Sequence, residues 1–219
     1  MDMSFLDLLQ PQWYVENGGI LLIMFVVFAE TGLFAGFFLP GDSLLFVTGV
    51  LSKSLLKTFI PDDQIVLKLV IIILLISISG ILGNIFGYWF GLKGGKSLYA
   101  KKDTLLFKHN YLVSAKQFYD KHGPLTIFVA RFIPFIRTFA PIVAGTVNMN
   151  YRKFFFYNIS GSFAWSISFI LAGHYLNDYL LLRYNYDIGK HLGYIVLFIV
   201  LVTTIPFITK LVFLSFKNK

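Results

Sequence analysis

The chain of 219 residues contains no cysteine, which excludes disulfides, thiolate metal sites and cysteine nucleophiles together. Charge is scarce as well. Asp, Glu, Lys and Arg make up 14% of the residues, against about 25% in soluble domains. No lysine or arginine precedes Lys53; a secretory signal peptide needs a basic n-region, so the N-terminal segment is expected to be retained. His109, His122, His174 and His191 show no H-E-x-x-H or comparable spacing, so they are read as structural. Neither a metal nor another cofactor is expected.

What the chain has in excess is apolar surface. Hydrophobic residues form 57% of it, with 25 Phe and 12 Tyr, and the mean hydropathy is +0.72. The formal charge of +8 resides largely in lysines that flank apolar runs. That arrangement suits anionic lipid headgroups and carries no nucleic-acid signature, which would show a basic face with interleaved aromatics.

The order of segments predicts an all-α polytopic membrane protein, a single domain over 1–219. Residues 1–18 are too polar to cross; Phe5, Leu6, Leu8 and Leu9 fit a short interfacial amphipathic helix, with Trp13 and Tyr14 at headgroup level. The run 19–39 would be long enough to cross, but Glu30 interrupts it and Pro40-Gly41 ends it. Residues 43–60 carry Lys53 and Lys57, which leaves too short a run to cross alone. A re-entrant hairpin with its tip near Pro40-Gly41-Asp42 accommodates both. The clearest crossing is 65–92, with Gly80, Gly83, Gly87 and Gly91 on one close-packing face. Residues 93–122 hold seven lysines against Asp103 and Asp120 and read as a cytoplasmic linker. After a second broken stretch come a turn at Arg152-Lys153, a crossing at 154–176, a loop at 177–190 and a last crossing at 191–213, with the basic C-terminus cytoplasmic.

The second broken stretch, FVARFIPFIRTFAPIVAG over 128–145, is apolar yet carries Arg131 and Arg137, each costing about 2.5–3.5 kcal/mol at a membrane helix centre. Pro134, Pro141 and Gly145 are its expected breaks, as Pro40 and Gly41 are in the first stretch. Glu30 and Asp42 upstream balance the two arginines in sign. Gln12-Trp13-Tyr14 with Gly18 matches Gln117-Phe118-Tyr119 with Gly123, and Glu30 precedes Pro40 by the same interval as Arg131 precedes Pro141. The chain therefore divides into repeats over about 1–92 and 104–176, and the single crossing 65–92 separates their two broken stretches. That predicts two inverted re-entrant hairpins meeting at the midplane, plus about three full crossings.

These residues resemble the DedA family of integral membrane proteins, part of a superfamily with lipid scramblases. The pattern is an acid, Glu30, then Pro40-Gly41-Asp42, then R-F-x-P-x-x-R-T-x-x-P-x-x-A-G running from Arg131 to Gly145 and including Thr138. The G-N-x-x-G-Y-W-x-G run from Gly83 to Gly91, and Trp165 after Gly161, also match, so the resemblance spans roughly 12–176. Asn84 stands where many relatives carry Asp. The resemblance implies a bacterial inner-membrane protein that flips undecaprenyl phosphate or a phospholipid, coupled to the proton motive force. It also implies that the two acids and two arginines are functional.

The residues themselves point the same way. Arg131 and Arg137 offer bidentate sites for a lipid phosphate that lysine would not reproduce. Glu30 and Asp42 can neutralise them when no phosphate is bound, and displaced carboxylates beside an anion in apolar surroundings take up protons. Asn84 and Thr138 are accessory candidates. Other readings stay open: a proton-coupled carrier of a small solute or ion, an intramembrane lipid-phosphate enzyme, an assembly factor, or a charge quartet that only locks the hairpins together. No nucleophile–base pair favours an enzyme, and Ser43 beside Asp42 reads as a helix N-cap. The glycine face is compatible with contacts within one chain or between copies in an oligomer.

Overall fold

The computed structural model describes residues 11–33, 41–57, 59–61, 63–100, 123–186 and 188. The expectations for Pro40, the segment 1–10, the Trp13 and Tyr14 side chains, most of the lysine linker and the crossing at 191–213 lie outside the described residues. Among the described residues the structure is helical and has no strand. Six helices follow one another: α1 (Pro11–Gly32), α2 (Gly41–Val50), α3 (Ile65–Ala100), α4 (Leu125–Ala130), α5 (Pro134–Thr146) and α6 (Tyr151–Tyr184).

Two of the six are long and apolar enough to cross a membrane, α3 over Ile65–Gly94 and α6 over its whole length. At 36 and 34 residues they extend about 50 Å, well beyond a hydrocarbon core of about 30 Å. The other four are shorter units. Gly19 divides α1 with φ 54° and ψ −151°, a conformation that glycine adopts without steric penalty, and α2, α4 and α5 have 10, 6 and 13 residues.

The outer surface is apolar. Leu67, Val70, Leu74, Ile78, Leu82 and Phe86 form a half-exposed stripe along α3, spaced as one helical face. The rest of the helix surface buries Lys68, Ser77 and Asn84 together with Ile72 and Ile76. A water-soluble helix would show the reverse distribution, so the stripe matches a lipid environment.

Packing exchanges the two halves. The α1 arm lies on α3 and the α4 arm on α6, each against the long helix of its own half, while α2 crosses to α6 and α5 crosses to α3. Each long helix thus receives one short helix from either half. Backbones approach closely at both crossing seams: a Cβ on Gly91 of α3 would strike the Ile142 carbonyl of α5, and one on Gly173 of α6 would strike the Phe46 carbonyl of α2. The main apolar cluster joins Val27, Leu44, Ile76 and Trp165; a second joins Tyr88, Ala144 and Phe154.

Several expected boundaries move. α3 continues through Lys93 and Lys96 to Ala100, so the linker expected from residue 93 begins later. α6 runs on to Tyr184 through the first part of the loop expected at 177–190, ending where Asn185 adopts a left-handed conformation and its N–H donates to the Leu181 carbonyl at 3.1 Å, a common helix stop. Arg152 and Lys153 are not a turn but the first turn of α6, because the Asn150 side chain accepts from the Lys153 N–H at 3.2 Å and caps the helix there. Pro141 and Gly145 are not breaks either, since both lie inside α5. A proline there removes one helical donor, leaving the Arg137 carbonyl without its partner four residues on, and the neighbouring turns hold. Ser43 lies within α2, which begins at Gly41, so it does not cap the helix.

Candidate functional site

The two carboxylates flank the gap between α1 and α2, Glu30 in the last turn of α1 and Asp42 as the second residue of α2. The two arginines flank the break between α4 and α5. Arg131 caps the C-terminus of α4, donating its N–H to the Phe128 carbonyl at 3.3 Å. Ile133 is extended (φ −113°, ψ 106°) and Pro134 opens α5. A residue before proline is driven out of the helical region by the ring, and proline itself suits the first helical position. Arg137 then falls in the first turn of α5, its N–H bonded to the Ile133 carbonyl at 2.9 Å.

Exchange packing brings the four together. Arg137 donates through Nη1 to Asp42 Oδ1 and through Nη2 to Glu30 Oε1, joining residues 95 and 107 positions apart. Trp165 of α6 donates its indole N–H to Asp42 Oδ1 at 2.7 Å. Its ring carries both cations, with Arg137 Cζ 4.7 Å and Arg131 Cζ 5.1 Å from the centroid, close enough for cation–π attraction. Glu30, Arg131 and Arg137 are 2–3% exposed.

Arg131 is bonded differently. Its Nη1 makes a long contact of 3.4 Å to Asn158 Oδ1, while Nε and Nη2 have no hydrogen-bond partner among the described residues. Asn158 Oδ1 also accepts from Asn84 Nδ2 at 2.8 Å, and Asn158 Nδ2 donates to the Ile81 carbonyl at 3.2 Å. Two glycines make room for the charges. A Cβ on Gly41 would overlap the Glu30 carboxylate, and one on Gly80 would overlap Arg131 Nη2. These glycines therefore shape the site as well as the helix contacts.

Taking four ionised groups out of water costs several kcal/mol each, and attraction offsets this only where bonding is complete. Arg137 comes nearer that condition, with both Nη atoms on carboxylates and Nε alone unpartnered among the described residues, although Glu30 Oε2 also lacks a partner; Arg131 has two unpartnered donors and no carboxylate. Equal numbers of cations and anions thus conceal an uneven distribution of bonds.

Of the residues singled out from sequence, Glu30, Asp42, Arg131 and Arg137 meet in one buried cluster, with Asn84 beside Arg131 and Gly41 against Glu30. Thr138 is buried next to Arg137 in the chain. Pro141 and Gly145 serve the α5–α3 contact instead, Pro141 lying near Gly87 and Gly145 against the Tyr88 carbonyl. Two contributors escaped the residue-level reading. Trp165 entered only through resemblance, and Asn158 not at all, although Asn158, Ser162 and Ser166 recur at four-residue intervals on one face of an apolar helix. A second polar group lies apart from the quartet: Ser52 Oγ is 2.9 Å from His174 Nδ1, Lys53 pairs with Asp178 at 2.6 Å, and the buried Lys68 donates to the Lys53 carbonyl at 3.0 Å. Among the described residues no group of three or more His, Cys, Asp or Glu could hold a metal ion.

Residues 18–175 match the VTT domain. The protein is 40% identical over 164 residues to "Protein DedA" of Escherichia coli K12, covering 75% of this chain and 71% of that one. It is 32% identical over 206 residues to the "Uncharacterized membrane protein MT0380" of Mycobacterium tuberculosis CDC 1551, covering 91% and 84%. With the "Inner membrane protein YqjA" of Escherichia coli K12 it shares 31% identity over 160 residues, 73% of this chain and 68% of that one. No solved structure matches. With the domain match spanning most of the chain and relatives of this identity on either side, the protein belongs to the DedA family of VTT-domain membrane proteins.

Proposed function

We propose that the protein is a proton-coupled lipid transporter that moves a phosphate-bearing lipid, undecaprenyl phosphate or a phospholipid, between the leaflets of the bacterial inner membrane. The observation that carries this reading is the buried convergence of two guanidiniums and two carboxylates from helices that are each too short to cross. Non-helical backbone at membrane depth is stable only inside protein or along a cavity, which favours α1–α2 and α4–α5 as re-entrant hairpins facing one another. In the resting site Arg137 is neutralised by Glu30 and Asp42. A lipid phosphate competes for the cations, and the carboxylates it displaces take up protons, so that headgroup movement and proton movement are linked. No covalent step is involved, and the protein acts as a carrier rather than an enzyme. The lysine-rich segments and the C-terminus belong on the cytoplasmic side.

The test is translocation of a fluorescent phosphate lipid in proteoliposomes, read by accessibility to an outside quencher. Translocation should change with an imposed pH gradient and fall to background in Glu30→Gln. A rate indifferent to both would overturn the coupling. Release of inorganic phosphate from the lipid would instead indicate an enzyme.

A further inference from the structure

The two arginines occupy unlike environments, and the hydrogen-bond inventory around Arg131 describes a ligand. Both Nη atoms of Arg137 are committed to carboxylates, and its Nε alone is without a partner among the described residues. Arg131, equally buried, keeps two donors, Nε and Nη2, without partners among the described residues. A buried charged group with unmade hydrogen bonds is unfavourable, and an anion is the group that completes it.

Beside it stands an orphan of the opposite kind. Asn158 is oriented by the bond from its Nδ2 to the Ile81 carbonyl. Its Oδ1 therefore faces Asn84, which must present Nδ2 to it. Asn84 is oriented in turn, and its Oδ1 is left as a buried acceptor without a partner among the described residues. The amide pair and the guanidinium share Asn158 Oδ1, so the free acceptor and the free donors belong to one locus. Trp165 backs the guanidinium, and Gly80 gives Nη2 its space.

We propose that Arg131 with the Asn84–Asn158 pair forms the headgroup subsite, and that it selects a ligand carrying an anionic oxygen together with a hydroxyl donor. This rests on the lipid-phosphate reading above and divides the quartet: Arg131 receives the anion first, Asn84 reads the hydroxyl, and Arg137 holds the carboxylates until the headgroup's charge draws it away from them and they take up protons. A phosphate monoester keeping one proton meets both demands, as does inorganic phosphate. A diester lacking hydroxyls meets only the first.

Calorimetric titration of the full chain in detergent micelles tests this with three probes at about pH 5, where a phosphate monoester with a second pKa of about 6 retains its proton. The probes are inorganic phosphate, dimethyl phosphate and dihexanoyl phosphatidic acid. Wild type should prefer inorganic phosphate over dimethyl phosphate by about tenfold or more, because a site built around a hydroxyl rejects the analogue without it. Asn84→Ala should level that ratio while leaving dimethyl phosphate within about twofold of wild type, a result that also shows the variant is folded. Arg131→Lys should weaken every probe by about tenfold or more. An unchanged ratio in Asn84→Ala, or unchanged affinity in Arg131→Lys, would overturn the subsite and leave the lipid reading standing. Dihexanoyl phosphatidic acid should bind more tightly than inorganic phosphate; equal affinity would defeat the lipid reading and leave the subsite standing. Wild type that binds none of the three would overturn both.

Discussion

Replacing Arg137 by methionine would leave Glu30 and Asp42 buried beside one another with their common cation gone, whereas the same replacement at Arg131 removes a guanidinium that pairs with no carboxylate among the described residues. Breaking a buried pair from one side costs about 3–5 kcal/mol, because the remaining charge is stranded. Arg137 serves two carboxylates and stacks on Trp165, so Arg137→Met should lie at the upper end, about 5 kcal/mol. For a chain of this size 1 kcal/mol corresponds to about 2–4 °C in Tm, which gives a drop on the order of 10 °C or more in micelles. Arg131→Met relieves an incompletely bonded charge and should change Tm by less than about 3 °C, or raise it. Adding Glu30→Gln and Asp42→Asn to Arg137→Met removes the stranded charges and should restore most of the loss. Thermal unfolding followed by near-UV circular dichroism reads all four proteins. Equal losses from the two arginine replacements, or no recovery in the triple variant, would refute this account of the cluster.

Other substitutions probe further features of the fold. Trp165→Phe deletes the 2.7 Å bond to Asp42 and should cost about 2 kcal/mol, the worth of a hydrogen bond to a charged acceptor, visible in the unfolding midpoint. Gly91→Val pushes a side chain into the Ile142 backbone and should cost about 3 kcal/mol; Gly19→Ala has open space but combines φ 54° with ψ −151°, a region essentially reserved for glycine, and should cost about 2 kcal/mol, so unfolding of the pair sets collision beside backbone strain. Lys53→Ala should cost less than about 1 kcal/mol despite the short contact to Asp178, because exposed ion pairs are screened; a loss above about 2 kcal/mol in the same assay would contradict that.

Helix α6 illustrates how far the sequence could be read. The apolar run at 154–176 marks it, and the polarity after 176 predicts a loop, whereas the helix continues to Tyr184. Hydropathy reports the solvent a helix meets, and the backbone stops only where a residue such as Asn185 turns left-handed. The same reasoning accounts for α3 running on through Lys93 and Lys96. Proline was informative only in part, since Pro134 opens a helix and Pro141 sits inside the same one, and what separates them is whether neighbouring turns hold the backbone after one lost bond. Asn158 was missed because a single amide in an apolar helix has no local signature of its partner, here Asn84, 74 positions away.

The sequence by itself determined the class of protein, the two broken stretches and the four charges set within them, because composition, proline chemistry and the cost of burying ions are local properties. Which arginine meets which carboxylate was decided only in three dimensions. α2 crosses to α6 and α5 crosses to α3, and that exchange carries Arg137 onto Glu30 and Asp42 while leaving Arg131 against the two asparagines. Two residues with the same side chain, six positions apart in one motif, are thereby given different partners, since a buried charge is defined by what surrounds it.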